Sequence, residues 1–194
     1  DRLVESELGA IPEGWEVVKL AQVIEIDPPR PLPKGQVAPY LDMANMPTHG
    51  HAPIQVVERP YAGGSRFTNG DTLLARITPS LENGKTAFVD FLPPEGVGWG
   101  STEFIVMRPK PPLPPEFGYC LARYPSFREF AIQSMTGTSG RQRVQSDALA
   151  RYPLVVPSEA IAKAFGQLVE PLFQKSSQCV RESRTLADLR DALL

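Results

Sequence analysis

The sequence is poor in the side chains from which most active sites are built. Its 194 residues include only 2 cysteines and 2 histidines. Cys120 and Cys179 stand far apart, which excludes a disulfide framework or a cysteine-rich metal site and fits a reducing, cytoplasmic setting. His49 and His51 flank Gly50 in one short stretch. No third or fourth metal ligand lies near them, so no metal site is expected. With both histidines in one loop, neither a Ser-His-Asp nor a Cys-His arrangement has support. No run approaches the roughly 18 apolar residues of a membrane helix. The acidic opening DRLVESELGA lacks the apolar centre of a signal peptide.

Two stretches invite catalytic readings and fail on spacing. Asp27-Pro28-Pro29-Arg30 is close to the loop of amino-group methyltransferases. That chemistry needs an aromatic ring where Arg30 stands, to stack on an extruded base. It also needs a glycine-rich turn for the methyl donor, which is missing. Asp71, Glu82 and Lys85 suggest a nuclease core, but Glu82 and Lys85 lie three apart across an Asn-Gly turn and do not share a strand face. The chain reads as a non-enzyme, with no catalytic residue and no cofactor of its own.

Proline is abundant, with 21 residues. The clusters at Pro28–Pro33 and Pro109–Pro115 exclude helix interior and central strand. Strand-like runs lie between them at Val17–Leu20, Gln55–Glu58, Thr72–Arg76, Thr86–Phe91 and Phe104–Arg108. Asn83-Gly84 predicts a hairpin turn. Residues 115–134 predict two short helices opened by Pro115 and Pro125. Residues 1–157 therefore form a compact α+β domain with a mixed sheet.

Residues 158–194 are different. Ser158 suits a helix N-cap and Glu159 suits the first turn. Steps of four and three pick out Ile161, Phe165, Leu168, Leu172, Lys175, Cys179, Glu182, Leu186, Leu189 and Leu193, a coiled-coil type of seam. Such a seam packs a helix on its own domain or on a partner helix. The length favours the partner, since 35 helical residues span roughly 50 Å. The interface expected is Ile161, Phe165, Leu168, Leu172, Leu186, Leu189 and Leu193. Lys175 and Glu182 would set register, and Pro171 should bend or interrupt the helix.

Charge supplies the remaining signal. Net charge is −2, yet residues 30–151 carry thirteen bases against ten acids, and most of the bases are arginine. Arginine forks match phosphate and guanine. Thr136, Thr138, Ser139, Arg141, Gln142 and Arg143, with Gly137 and Gly140 between them, form a hydroxyl-rich cationic loop. Arg76, Thr78, Ser80, Asn83 and Lys85 form a second group of the same kind. By chemistry alone these are either DNA-facing loops or ordinary turns.

Five stretches in order resemble a type I restriction-modification specificity subunit. They are GAIPEGWEVVKLAQV (9–23), GDTLLARITPSLENGKTAFV (70–89), STEFIVMRP (101–109), SGRQRVQSDALARYPLVVPS (139–158) and LFQKSSQCVRESRTLADLRDALL (172–194). The resemblance covers nearly the whole chain, with one target recognition domain and one spacer helix where that family usually carries two of each. It implies reading of one half of a split site in double-stranded DNA. It implies docking of a DNA methyltransferase subunit, which alone would carry S-adenosylmethionine, and of a motor-nuclease subunit. A single copy of each part implies a homodimer through the helix and an inverted-repeat target. Arg76, Thr78, Ser80, Asn83, Lys85, Thr138, Ser139, Arg141, Gln142 and Arg143 are then the DNA-facing residues. Two alternatives stay open: a half-subunit that modulates a resident system by competing for its methyltransferase, and the target-reading part of a single-chain restriction enzyme.

Overall fold

A computed structural model describes residues 2–193. Asp1 and Leu194, the outermost residues of the two expected segments, lie outside the described residues. The domain is layered around one antiparallel sheet in the order β4 (Ile24–Ile26), β11 (Phe104–Pro109), β8 (Thr72–Ala75) and β9 (Thr86–Phe88). Side chains alternate across a strand, and here both faces are buried. Leu74, Ile105 and Met107 face a cluster with Leu121, Phe127 and Leu149. That cluster draws on the helices α2 (Glu116–Arg123), α3 (Pro125–Gln133) and α4 (Ser146–Ala150). Leu73, Phe104 and Val106 face Leu41, Met46 and Phe67 on the other side. Burial on both faces explains why β8 and β11 are continuous apolar runs.

A second sheet runs β6 (Val57–Pro60), β5 (Val37–Leu41), β10 (Gly98–Gly100), β7 (Ser65–Phe67). Its β5–β10 pair is parallel and the others are antiparallel, so the sheet is mixed. Trp99 lies between Tyr40 and Tyr61, with ring centroids 4.3 and 5.5 Å away. A separate hairpin, β1 (Leu3–Ser6) and β2 (Gly9–Pro12), opens the chain. Next, β3 (Glu16–Lys19) runs into the single turn α1 (Leu20–Val23). β3 pairs with β12 (Pro153–Val156), tying the start of the domain to the strand that leads into the last helix.

That helix, α5, runs unbroken over Glu159–Ala192. Pro171 lies inside it and does not interrupt it, so of the two effects expected there the interruption is absent. Gln167, whose carbonyl loses its helical donor there, is solvent-exposed, and the half-buried Phe173 and buried Val169 hold the helix to the domain on either side. Ser158 is the N-cap residue but makes no side-chain cap bond. The turn expected at Asn83-Gly84 is present between the antiparallel β8 and β9, as part of a longer connection. Ten residues separate β8 from β9, and only Gly84 of the pair has positive φ, at 73°. The primed two-residue turn needs both residues there. The expected strand at Gln55–Glu58 lies two residues further on, as β6.

α5 uses two faces. Ala162, Val169 and Ser177 are buried against the domain. Arg184 donates to the carbonyls of Pro53 and Ile54, so the helix lies along the domain at least that far instead of projecting from its start. A three-residue polar pin holds the junction. His51 is buried, and its Nε2 lies 2.8 Å from Ser177 Oγ and 3.3 Å from Asp90 Oδ2. Ser177 in turn donates to Asp90. Phe173 stacks 4.9 Å from the His51 ring. This is not a catalytic relay, because serine and aspartate share one ring nitrogen where a relay needs both nitrogens. Burial pushes the Asp90 carboxyl up, but hydrogen bonds from His51 and Ser177 and the charge of Arg181 outweigh it, so it sits below its ordinary value. A depressed folded value means that the stability is present above the ordinary aspartate range and lost as pH falls through it. Wild type should therefore lose more stability than Asp90→Asn between pH 5 and pH 2 in urea titrations. Parallel pH curves for the two proteins would contradict this role.

Candidate nucleic-acid interface

The two polar loops picked out in the sequence meet in space. Ile77 and Thr136 both bridge to Arg143. The Thr78 N–H donates to the Gln142 carbonyl at 3.0 Å, and the Val144 N–H to the Arg76 carbonyl at 2.9 Å. Thr136 and Arg143 exchange backbone bonds of 2.9 Å each, which closes the loop between them at its base. Gly137 and Gly140 turn it, with φ of 128° and 78°. Thr138, Ser139 and Arg141 are exposed at its tip, and Gln142 is half-buried beside them. The loop is thus a projecting, hydrogen-bonded finger whose end offers hydroxyls, a guanidinium and an amide.

The expected residues do not all share that freedom. Arg143 is engaged with Glu103, through Nε at 2.9 Å and Nη2 at 2.7 Å. The hydrogen bond and charge of Glu103 hold its guanidinium above an already high ordinary value. Lys85 Nζ donates to the Met43 carbonyl at 2.6 Å. Ser80 is buried at 9% exposure. Lys85 is thus tied to the surface and Ser80 is withdrawn from it, whereas Arg143 remains 40% exposed with its Nη1 outside the bonds to Glu103. Thr78 is half-buried with an unpartnered hydroxyl oxygen, while Asn83 is exposed. Arg76 donates to Gln145 at 2.6 Å, and its buried Nε has no partner.

Arg76 also lines a cleft of about 310 Å³ beside the finger, together with Asp27, Arg66 and Thr102. Sequence alone singles out neither Arg66 nor Thr102 as a site residue, and it offers Asp27 only within the rejected methyltransferase-like stretch. Asp27 has φ of 52°, its Oδ1 takes the Val106 N–H at 2.9 Å, and its Oδ2 takes the Ser146 hydroxyl at 2.6 Å. The Asp-Pro-Pro-Arg stretch is therefore a tie between β11 and the segment after the finger. Its Arg30 points to Asp71, which is fully buried and also held by Arg108 Nε at 2.6 Å. That excludes Asp71 from a nuclease site. His49 is exposed, and among the described residues no group of three or more His, Cys, Asp or Glu side chains is clustered as a metal site would need.

The partner seam is a stripe on α5 one residue out of phase with the face that packs on the domain. Ile161, Leu168, Leu172, Leu186, Leu189 and Leu193 are all exposed, Leu168 at 68% and Leu172 at 63%. Phe165 lies at the border, with its ring 6.3 Å from Phe117 of the domain. Lys175 and Glu182 lie on the same outward side. No helix among the described residues is long and apolar enough to cross a membrane.

The same layered domain and long helix occur in solved structures. An HsdS subunit from Thermoanaerobacter tengcongensis matches with a TM-score of 0.63 and 22% identity, over 95% of this chain and 48% of that one. The S subunit of a type I restriction-modification system from M. genitalium matches with a TM-score of 0.58 and 17% identity, over 93% and 45%. No family model matches the sequence. Two curated proteins of Escherichia coli do. The type I restriction enzyme EcoAI specificity subunit is 28% identical over 195 residues, covering 95% of this chain and 33% of its own length. The EcoEI specificity subunit is 27% identical over 190 residues, covering 95% and 32%. The chain is homologous to type I restriction specificity subunits and spans about a third of the length of the curated relatives it matches.

Proposed function

We propose that this chain reads one half of a bipartite site in double-stranded DNA for a type I restriction-modification system. It does no chemistry of its own. A DNA methyltransferase subunit docks on it and supplies S-adenosylmethionine-dependent methylation, and a motor-nuclease subunit joins the full complex in the cytoplasm. Two copies pair through the outward stripe of α5. The observation that carries this reading is the finger at 136–143, joined by backbone hydrogen bonds to 76–78 and leading through α4 and β12 straight into α5. A reading element braced in this way keeps a fixed position relative to a rigid helix, and that relation sets the distance between two half-sites.

Arg141 is the guanidinium at the exposed tip, and Gln142 beside it can both donate and accept at a base edge. Arg141→Ala should weaken binding to the preferred duplex by about 1–3 kcal/mol. The check is a duplex titration at two salt concentrations. Unchanged affinity at both would remove the finger from the interface.

A further inference from the structure

Most arginines of the domain are already engaged. Arg30 and Arg108 hold Asp71, and Arg143 holds Glu103. Arg123 donates to the carbonyls of Thr48 and Gly84, and Arg128 to that of Glu82. Arg59, Arg66, Arg141 and Arg151 make no side-chain hydrogen bond or ion pair among the described residues, and Arg76 makes one hydrogen bond, to Gln145; of these, Arg66 and Arg76 stand at the cleft. Among the described residues neither has a carboxylate within 4.0 Å, and both line the cleft beside the finger. Arg66 rests 5.9 Å from the Tyr61 ring centroid, which orients it without neutralising it.

The remaining walls narrow the ligand. Gly64 lies so close to β10 that a Cβ there would sit 1.9 Å from the Gly100 carbonyl oxygen, so bare backbone forms that side. Thr102 brings a hydroxyl, whereas the Ser65 hydroxyl is spent on the Phe104 carbonyl at 2.8 Å. Asp27 keeps its negative charge but has both carboxylate oxygens turned to Val106 and Ser146, and the two guanidiniums outnumber it, so the cleft wall is net cationic. Phe104 is 1% exposed and offers no ring face on which a base could stack. Two forked cations and a hydroxyl, with no exposed aromatic ring face among the described residues that line the cleft, fit a tetrahedral oxyanion better than a nucleobase.

We propose that this cleft anchors a backbone phosphate of the DNA, with Arg66 and Arg76 as its cationic arms. The proposal rests on the DNA-reading function above. Its position gives it a purpose. Arg76 bonds Gln145 and Asp27 bonds Ser146, both just past the finger, so a phosphate held there fixes the register of the finger over the base edges.

The test uses the full chain with its co-purified methyltransferase, titrated with a preferred and an unrelated duplex across a sodium chloride series. Arg66→Gln should weaken both complexes by a similar factor. It should reduce the slope of log affinity against log salt by about 0.9 and leave the preferred sequence unchanged. Arg66→Lys keeps the charge and should keep the slope, which separates lost charge from a lost fold. Wild-type affinity and slope in Arg66→Gln would overturn the anchor while leaving DNA reading intact. So would a changed sequence preference, which would make Arg66 a base contact. A wild type that binds no duplex would overturn both.

Discussion

Replacing Asp71 with alanine should cost about 3–5 kcal/mol of folding stability, the usual penalty for removing one partner of a buried ion pair. Asp71 is 0% exposed, and its carboxylate gathers Arg30 at 3.2 Å, Arg108 at 2.6 Å and the Thr68 N–H at 2.7 Å. Removing it leaves two largely buried guanidiniums facing each other without a countercharge. For a chain of this size the loss corresponds to a fall in Tm of roughly 6–20 °C. Asp71→Asn should be nearly as damaging, because it keeps the shape and loses the charge. Urea unfolding of the three proteins decides the matter. A loss under about 1 kcal/mol in Asp71→Ala would mean that the cluster is solvated and contributes little.

The second large effect concerns the outward stripe of α5. Leu172 and Leu186 are 63% and 66% exposed in the single chain, on a stripe of the helix beside the one that Ala162, Val169 and Ser177 bury against the domain. Aligned exposed leucines of this kind mark an interaction surface. Burying each leucine against a second helix gives about 1.5–3 kcal/mol. Each dimer loses four such leucines, two from each copy, so Leu172→Glu with Leu186→Glu should weaken self-association by at least about ten-thousandfold. The monomer should stay folded, since neither side chain touches the domain core. Sedimentation equilibrium of both proteins, with circular dichroism as the fold control, measures this. A wild type that stays monomeric up to high concentration would contradict pairing through α5.

Much of the architecture was legible in the sequence, for physical reasons. β8 and β11 are buried on both faces, so their apolar runs stood out, and Pro125 marked the start of α3. β10 was not legible. Its sequence is Gly98-Trp99-Gly100, and glycine is depleted in strands. The glycines are there because a Cβ on Gly98 would lie 2.5 Å from the Phe67 ring, and one on Gly100 2.4 Å from the Leu41 carbonyl oxygen. The helix showed the opposite problem. Steps of four and three found its outward stripe, whereas the face that docks on the domain includes Ser177 and Arg184 and has no purely apolar signature.

The candidate interface was half legible. Composition picked out both loops, and the structure shows them joined. It also shows Arg143 and Lys85 tied to Glu103 and to the Met43 carbonyl, 40 and 42 positions away in sequence. No local pattern marks partners that distant. For the same reason Arg66 passed unnoticed, alone on a short strand with no polar neighbours of its own kind. Which arginines carry no countercharge and stand at the cleft or the finger is a property of the fold, and Arg66 and Arg76 at the cleft and Arg141 at the finger tip are the ones that do.

The central claim is sequence-specific reading of DNA, and the most direct test is selection from a pool of random duplexes by this chain co-purified with the methyltransferase proposed as its partner. Reading by a self-paired chain should enrich one short sequence, repeated in inverted order with a constant gap. An intact, folded complex that enriches nothing would contradict the claim and leave a protein that binds the methyltransferase without reading DNA.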